Sequence, residues 1–343
     1  MMAGQDRVVL VTGAGGFIGG HVAAWFADRG WRVVGAWHRR RSPVFEALVA
    51  EGRLLPLCVE LGDPASAGDA IAYAKRTLGT APSVIAHCAG RASDIGPDRA
   101  FRAANFDAVR HLAAAAVTHG SRFVFVSTTD VYGLMDHNAA DEDTPLREFP
   151  RNPYPHYKIE AERWLRANLP GENWSIVRPA AVWGPGDPTL TPRIVDFLRH
   201  SPCIVHFGRW RGSNRWPLAH VNLVAEAVYL AATLGKARGQ AANVLDAART
   251  SIDEFYRRLA AEHFPEKRFR TLCLPFWVGL CWGAAVTTLS NASRRDRPIA
   301  DPSLYAVYAV SRNLDFSNAR LAAWREQGKH IAFTHHTNIP SWI

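Results

Sequence analysis

The chain has 343 residues, of which 48% are hydrophobic and 21% are charged, a composition typical of a folded protein and not of a disordered one. The formal net charge is +9, but the basic residues are spread along the chain and form no Lys/Arg-rich tail, zinc finger or RNA-recognition signature, so we expect no nucleic-acid partner. The five cysteines are scattered and include no CxxC pair, so we expect neither a disulfide framework nor a metal site. The start of the chain is too short and polar before its first glycines for a signal peptide, which predicts a cytoplasmic protein.

Short apolar runs alternate with helical patterns over the first half of the chain. Strands are predicted at residues 8–11, 32–36, 54–59, 83–87, 122–127 and 174–178, and helices at residues 21–29, 65–78, 101–119 and 159–169. Strands that alternate with helices at this spacing predict a parallel sheet with helices on both faces. The predicted fold class is therefore α/β, a Rossmann-type doubly wound parallel sheet.

A glycine-rich turn follows the first predicted strand. Gly13, Gly16 and Gly19 form a GxxGxxG pattern between that strand and the next helix. In such a loop the first glycine makes a tight turn, the second lets the backbone approach a pyrophosphate, and the third lets the helix pack close to the strand. The helix N-terminus then faces the phosphates, so we predict a dinucleotide site that also includes Phe17 and Ile18.

The residues at the end of the second predicted strand indicate whether NAD or NADP is preferred. An Asp or Glu there binds the ribose 2′-hydroxyl of NAD, but this chain has Trp37 and His38, followed by Arg39, Arg40 and Arg41. A 2′-phosphate suits this basic cluster, so NADP is the preferred cofactor and NAD the alternative. The arginines also fit a solvated loop, and that interpretation stays open. His38, Arg39 and Arg40 are the cofactor residues that we predict here.

After Pro179 proline and glycine become frequent, and the alternation weakens to one predicted helix at 221–234 and one strand at 242–245. We assign residues 1–179 plus about 219–247 to an NAD(P)-binding Rossmann domain. Residues from about 180 to 218, together with 248–343, form a smaller, discontinuous C-terminal substrate domain.

Residues 272–289 carry no charge and border on the length of a membrane span. Arg268 and Arg270 precede this segment, and Arg294, Arg295 and Arg297 follow it. One interpretation is a buried helix or a lid over the substrate cleft. The other is an apolar substrate entrance that makes peripheral contact with a membrane.

Tyr154 and Lys158 stand four residues apart in Y-P-H-Y-K, so a helix places both on one face. A free tyrosine has a pKa of about 10, too high for a base at neutral pH, but a cation one helical turn away favours the phenolate. Tyr154 could then exchange a proton with an alcohol or a ketone. Taken alone, the pair also fits a surface tyrosine and a solvated lysine.

Five segments, in this order, resemble the extended short-chain dehydrogenase/reductases of the NAD-dependent epimerase/dehydratase superfamily. They are T-G-A-G-G-F-I-G at 12–19, V-I-A-H-C-A-G at 84–90, V-S-T-T-D-V-Y-G at 126–133, Y-P-H-Y-K at 154–158 and V-R-P-A-A-V-W-G-P-G-D at 177–187. The resemblance covers nearly the whole chain. It implies an enzyme in which Tyr154 is the acid/base, Lys158 activates it and holds the nicotinamide ribose, and Thr128 binds the substrate oxygen, with Ser127 and Thr129 as alternatives.

The resemblance also implies further cofactor contacts and a homodimer. The homodimer would form through a four-helix interface, for which the apolar helix at 101–119 is the candidate. The additional cofactor-binding residues are Glu60, Leu61, Ala89, Gly90, Asn105, Pro179 and Val182.

The substrate class is left with two conflicting indications. The segments Y-P-H-Y-K-I-E-A-E and H-V-N-L-V-A-E-A (220–227) are similar to the hydroxysteroid dehydrogenase and dihydroflavonol reductase branch, which suggests a hydrophobic ketone. Arg215 instead resembles an arginine that meets the diphosphate of a nucleotide sugar, and Trp216 could stack on a ring or simply pack. Sugar dehydratases need an Asp-Glu pair after the catalytic Thr, where this chain has Thr129, a further candidate for substrate contact, and Asp130.

We therefore predict hydride transfer between a nicotinamide and a ketone or secondary alcohol. A nucleotide-sugar 4-epimerase or reductase is one alternative. A non-catalytic nucleotide-binding module is the other.

Overall fold

The computed structural model describes residues 7–293 and 298–329. The strands of this part are β1 (Val8–Thr12), β2 (Arg32–Trp37), β3 (Leu54–Cys58), β4 (Val84–His87), β5 (Arg122–Val126), β6 (His137–Ala140), β7 (Trp174–Pro179), β8 (Ala181–Trp183), β9 (Cys203–Phe207), β10 (Leu218–His220), β11 (Ala241–Val244), β12 (Arg270–Leu274) and β13 (Leu314–Phe316). The α-helices are α1 (Phe17–Ala27), α2 (Pro43–Ala50), α3 (Pro64–Leu78), α4 (Asp98–Arg102), α5 (Ala108–Thr118), α6 (Pro153–Asn168), α7 (Leu190–His200), α8 (Val221–Thr233), α9 (Ile252–His263), α10 (Phe276–Ala292), α11 (Leu304–Ser311) and α12 (Ala319–Gly328).

Seven of these strands form one parallel sheet in the order β11-β7-β5-β4-β1-β2-β3. The chain runs outward in one direction from β1 through β2 to β3, and returns to the other side of β1 at β4. A crevice opens where the strand order reverses, beyond the carboxyl ends of β1 and β4. The predicted Rossmann-type doubly wound sheet is therefore confirmed.

Both faces of the sheet are covered by helices, as a parallel sheet requires. All five residues of β1 are buried. On one face, Phe26 of α1 packs against Tyr229 of α8, with ring centroids 5.1 Å apart. On the other, Ile71 of α3, Leu112 of α5 and Leu165 of α6 share a second apolar cluster. The helix layers on the two faces thus support the sheet at whose edge the crevice lies.

Three predicted helix boundaries are wrong for local reasons. Helix α1 begins at Phe17, directly after the glycine loop, and not at residue 21. Helix α6 begins at Pro153 and not at residue 159, because the side chain of Asn152 accepts the backbone N–H of Tyr154 and Pro153 is suited to the first turn. The helix predicted at 101–119 is instead α4, a π-helical turn at Ala103–Asp107, and α5.

Three two-stranded parallel sheets lie outside the large sheet, β8 with β10, β9 with β12 and β6 with β13, and all their strands except β6 belong to the second half of the chain. Helices α7 and α9 pack around a third apolar cluster that contains Trp216, Leu198 and Phe255. Within the described residues, no helix is long and apolar enough to cross a membrane.

The apolar segment at 272–289 forms the end of β12 and most of α10, and the interpretation as a buried helix is wrong. Trp277, Trp282 and Leu289 on this helix are all exposed. Arg294, Arg295 and Arg297, which follow it in the sequence, lie outside the described residues.

Candidate active site

The glycine loop leaves no room for side chains. Gly13 has a φ of +68°, and a Cβ there would lie 2.8 Å from Cα of Ala89. A Cβ at Gly19 would lie 2.1 Å from the carbonyl oxygen of Gly13, so this glycine permits α1 to pack against β1. Gly16 is the N-cap of α1, and no side chain caps the helix there. The first N–H groups of α1 are thus left for an anion, and the loop fits the pyrophosphate of a dinucleotide.

Gly15 is a functional residue that the sequence analysis missed. A Cβ at Gly15 would lie 2.0 Å from the carbonyl oxygen of Arg40 and 3.0 Å from Cβ of Trp37. The backbone N–H of Ser42 donates to the carbonyl oxygen of Gly15 over 2.9 Å. The basic loop after β2 is therefore packed directly on the glycine loop. The available signal was the first glycine of the Gly15-Gly16 pair, an extra glycine inside the GxxGxxG pattern.

The arginines after β2 differ in their surroundings. Arg41 is bound within the protein, because its Nε lies 2.8 Å from Oε1 of Glu46 and its guanidinium lies over the ring of Trp37. Arg39 and Arg40 are exposed beside the glycine loop. They are the two arginines that can reach a bound phosphate.

Two further predicted cofactor residues lie beside this loop. His38 is exposed, and its Nε2 lies 3.7 Å from Oε2 of Glu60, just after β3. Leu61, the next residue, is buried. Their roles towards the cofactor stay predictions.

Lys158 lies at the floor of the crevice. Its Nζ donates to the carbonyl oxygen of Val126 over 2.8 Å and stands 4.6 Å from the ring centroid of Phe125. Burial lowers the pKa of Lys158 to about 8. A Cβ at Gly90 would lie 3.3 Å from this Nζ and 2.8 Å from Oδ1 of Asn105, so the chain after β4 passes close above both side chains.

Asn105 sits, fully buried, in the π-helical turn between α4 and α5. Its Oδ1 accepts the backbone N–H of Arg91 over 2.8 Å, and its Nδ2 donates to the carbonyl oxygen of Arg91 over 3.0 Å. Single π-helical turns are frequent at functional sites because they redirect one side chain. In this structure Asn105 positions the loop that carries Ala89 and Gly90.

Tyr154 is buried and its side chain forms a hydrogen bond with Thr128. Burial raises the pKa of Tyr154, the nearby Asp130 raises it further, and the hydrogen bond from Thr128 opposes both. Thr128 begins the short 3₁₀ helix Thr129–Tyr132, and its Oγ1 also accepts the backbone N–H of Asp130 over 3.2 Å. The side chains of Tyr154, Thr128 and Asp130 therefore meet at the end of β5. The hydroxyls of Tyr154 and Thr128 are suited to hydrogen bonds with a carbonyl oxygen.

The two alternatives to Thr128 are placed differently. Ser127 and Thr129 are both buried. The hydroxyl of Ser127 has no hydrogen-bond partner among the described residues. Of the three neighbouring hydroxyls, Thr128 is the one bonded to Tyr154.

A buried ion pair anchors α6 to the sheet. Tyr154, Lys158 and Glu162 follow one another at intervals of four on α6. Arg178 of β7 donates to both carboxylate oxygens of Glu162, over 3.0 and 2.6 Å, and to the hydroxyl of Tyr132 over 2.6 Å. Bidentate pairs of this kind fix orientation as well as distance. The ion pair thus fixes the face of α6 that carries Tyr154 and Lys158.

A polar cluster that the sequence analysis missed lies beside Tyr154. Tyr305 of α11 donates to Oδ2 of Asp130 over 2.5 Å. Arg193 of α7 donates to Oδ2 of Asp94 over 2.9 Å and also binds Asp301. Ser303 donates to the same oxygen of Asp94 over 2.7 Å. The single cation of this cluster is therefore already bound by two carboxylates.

The segment after β7 approaches the glycine loop. Pro179 is buried at the end of β7, and Val182 is half-buried in β8. A Cβ at Gly186 would lie 3.9 Å from the ring of Phe17. Ile18, like Phe17, is half-buried at the start of α1. These four predicted cofactor residues thus lie around the crevice.

The predicted substrate residues Arg215 and Trp216 lie in the second half of the protein. Trp216 is buried and packs on Phe255, with ring centroids 5.6 Å apart. The guanidinium of Arg215 donates to the carbonyl oxygen of Arg249 over 3.4 Å. Their contact with a substrate stays a prediction. In the described part of the chain, no group of His, Cys, Asp and Glu residues could hold a metal ion.

Known proteins resemble the chain in sequence and in fold. A 2-alkyl-3-oxoalkanoate reductase from Stenotrophomonas maltophilia is 29% identical over 232 residues, which are 65% of this chain and 64% of that protein. A 3 beta-hydroxysteroid dehydrogenase/Delta 5-->4-isomerase from Mycobacterium tuberculosis is 28% identical over 285 residues, 80% of this chain and 75% of that protein.

The structure of a Thermus thermophilus UDP-glucose 4-epimerase in complex with NAD superimposes with a TM-score of 0.64, at 21% identity, over 92% of each chain. The family model for the NAD dependent epimerase/dehydratase family matches residues 9–244. The chain belongs to the NAD dependent epimerase/dehydratase family.

Proposed function

We propose that the protein is an NADP-preferring reductase of a ketone with an apolar body. The observation that carries this proposal is the hydrogen bond between Thr128 and Tyr154, with Lys158 one helical turn away, at the edge of a crevice that fits a dinucleotide. We infer the same residues for the reverse reaction, the oxidation of a secondary alcohol.

A bound nicotinamide supplies or accepts the hydride. Thr128 and Tyr154 hold the substrate oxygen, and Tyr154 donates its proton to that oxygen as the ketone becomes an alcohol. The charge of Lys158 stabilises the phenolate that remains on Tyr154. Because Tyr154 is buried and its pKa is raised, the phenol is fully protonated at neutral pH and is ready to act as an acid.

The preference for NADP rests on the end of β2. Trp37 occupies the position where an acidic residue would bind a 2′-hydroxyl, and the exposed Arg39 and Arg40 stand beside the glycine loop. A 2′-phosphate would gain charge-assisted hydrogen bonds from these guanidinium groups. NAD would leave both arginines without an anion.

The charges beside Tyr154 favour a substrate without a diphosphate. Asp94, Asp130 and Asp301 lie around the cleft, and Arg193 is bound by two of them. A diphosphate placed there would meet carboxylates instead of a free cation. The names of the two curated relatives, which refer to oxoalkanoates and hydroxysteroids, support a substrate with a large apolar part.

We also propose that the protein is a homodimer through the four-helix interface that the family resemblance implies, with the helical segment at 101–119, which includes α5, as the contributing element. Residues 1–179 with about 219–247 would form the cofactor domain, and the rest of the chain the substrate domain.

The test begins with the nucleotide that the purified protein holds. Denaturation should release no stoichiometric NAD, and titration should show tighter binding of NADPH than of NADH. NADPH consumption is then followed with a 2-alkyl-3-oxoalkanoate and a 3-ketosteroid as probes. Stoichiometric, tightly held NAD would contradict a cofactor-exchanging reductase and would support the nucleotide-sugar 4-epimerase.

Tyr154→Phe should lower kcat/KM with the active ketone by about 10²–10⁴-fold while leaving NADPH binding unchanged, because only the proton donor is lost. Tyr157→Phe is the matched control, since the Tyr157 hydroxyl donates to Asp98 at the surface over 2.6 Å. Equal activity of the two variants would refute the assignment of Tyr154.

A further inference from the structure

Helix α10 has the reverse of the side-chain distribution that a surface helix normally shows. A surface helix buries its large apolar residues and exposes polar ones. In α10 the buried positions are Gly279, Gly283, Val286 and Ser290. The outward face instead carries Trp277, which is 65% exposed, with Trp282 at 50% and Leu289 at 56%. The helix contains no charged residue.

The apolar surface extends beyond the helix. Leu272 of β12 and Ile299, just after the helix, are also exposed, and the backbone N–H of Ile299 donates to Ser290 of α10. Phe149 is the remaining large hydrophobic that is exposed in the described part of the chain, and its ring packs on Tyr308. Tyr308 in turn packs on Phe276, the first residue of α10. We call Phe149, Leu272, Trp277, Trp282, Leu289 and Ile299 the α10 surface.

Basic residues border the α10 surface. Arg268 and Arg270 are exposed where the chain enters β12, which leads directly into α10. The guanidinium of Arg312 lies 4.4 Å from the ring centroid of Phe276. The carboxylate of Asp301, which follows Ile299 by two residues, is bound by Arg193. The border of the α10 surface therefore presents positive charge.

We infer that the α10 surface docks on an anionic lipid bilayer. Tryptophan is suited to the boundary between headgroups and acyl chains, where its ring is in apolar surroundings and its N–H meets polar groups. Leucine and isoleucine side chains gain free energy by insertion below the headgroups. Arginines at the border of the surface are attracted to anionic headgroups.

The docking surface and the candidate active site share a rigid pair of helices. A Cβ at Gly283 would lie 2.8 Å from Cα of Leu304, so α10 and α11 are in backbone contact. Helix α11 carries Tyr305, which donates to Asp130 beside Tyr154. Docking would thus bring the substrate cleft to the bilayer, where an apolar ketone accumulates. This consequence rests on the proposed function, but docking itself does not.

The experiment is flotation of the full chain with vesicles, without nicotinamide or ketone. Vesicles of phosphatidylcholine with a quarter phosphatidylglycerol should carry the wild-type protein to the top of the gradient, and phosphatidylcholine vesicles should carry far less. Trp277→Ser should weaken binding to the anionic vesicles by roughly tenfold or more, and Trp277→Phe should retain most of it. Arg268→Gln and Arg270→Gln should each weaken it by about fivefold. Arg76→Gln, an exposed arginine of α3, is the charge-matched control and should have no effect.

Three outcomes would overturn the inference. Wild-type protein that stays at the bottom with anionic vesicles would show that the surface binds no lipid. Equal binding of wild type and Trp277→Ser, with unchanged thermal unfolding, would place lipid contact elsewhere. A change of oligomeric state in Trp277→Ser without lipid, measured by analytical ultracentrifugation, would show that the surface joins protein chains. Because no substrate is present, none of these results depends on ketone reduction.

Discussion

The crevice proposed for the cofactor and the polar cluster beside Tyr154, which we call the cleft, are held together in different ways. The crevice is built by close backbone approach, since a Cβ at Gly13, Gly15 or Gly19 would lie within 3 Å of neighbouring backbone atoms. The cleft is built by side-chain charges, with Arg193 between Asp94 and Asp301. Backbone contacts tolerate no added atom but are indifferent to pH, whereas ion pairs respond to charge substitution. The glycine loop should therefore fail by sterics, whereas the ion pairs beneath the crevice and in the cleft should fail by electrostatics.

The ion pair between Glu162 and Arg178 gives the largest expected effect on stability, because it is a buried charge pair that supports the crevice from below. Both side chains are almost fully buried, at 0% and 1% exposure. Glu162→Gln leaves Arg178 charged and without its counter-ion, and should lower the free energy of unfolding by about 3–5 kcal/mol. Chemical denaturation measures the loss.

Glu160→Gln is the matched control on the same helix. Its carboxylate pairs with Arg163 at the surface, and its loss should cost about 0–1 kcal/mol. The double variant Glu162→Leu/Arg178→Met should recover most of the stability, because no charge remains buried. A Glu162→Gln variant that is as stable as Glu160→Gln would contradict this account of the crevice.

Substitutions in the basic loop after β2 test whether its charge selects the cofactor. Arg39→Ala together with Arg40→Ala should weaken NADPH binding by roughly 10- to 100-fold and leave NADH binding nearly unchanged, since only the 2′-phosphate loses its partners. Titration calorimetry with both nucleotides measures the difference. Arg41→Ala is the control, because Arg41 is held by Glu46. Equal weakening of NADPH and NADH would show that the arginines support the loop and do not select the cofactor.

Substitution of Arg193 tests whether its ion pairs hold the cleft together. Arg193→Met leaves Asp94 and Asp301 without their cation and should lower kcat/KM for the ketone by about tenfold, because α7 and the start of α11 lose their shared contact. NADPH binding should not change. Arg199→Met, on the exposed side of α7, should leave both unchanged. Loss of NADPH affinity in Arg193→Met would contradict the separation of the two regions.

The two regions also differ in how far the sequence predicts them. The GxxGxxG loop spans seven positions and its geometry follows from local sterics, so its glycines, apart from Gly15, and the strands around it are predicted to within one residue of their ends. The cleft joins Arg193 to Asp301 across 108 positions, and Tyr305 to Asp130 across 175. Local periodicity carries no information about such contacts.

The orientation of α10 also depends on contacts that the local sequence does not predict. Its length and apolar character are visible in the sequence, and a helix was one of the expected structures there. Whether its large residues face inward depends on what packs against Gly279 and Gly283. The neighbours of these two glycines are α11 and Phe207, which lie far from them in the sequence. Of the two interpretations of this segment, one was a buried helix, and the structure shows its large residues exposed.

The last expected effect is a dependence of kcat/KM on pH, which we attribute to the charge of Lys158 at the floor of the crevice. Burial lowers the pKa of Lys158 to about 8, from the ordinary lysine value of 10.5. Above pH 8 the amine loses its charge and no longer stabilises the phenolate of Tyr154, so kcat/KM for ketone reduction should fall by up to about tenfold per pH unit. Lys158→Arg should be slower at neutral pH, but its decline should move to higher pH, because a guanidinium stays protonated.

Unfolding does not explain such a decline. Between pH 8 and 10.5 the unfolded chain binds more protons at Lys158 than the folded chain, so this residue makes folding more favourable as pH rises. Circular dichroism at each pH would confirm that the protein is folded where its activity falls. If wild type and Lys158→Arg lose activity at the same pH, another group controls the decline. Cys88 is a poor candidate for it, because burial raises the pKa of that thiol to about 12.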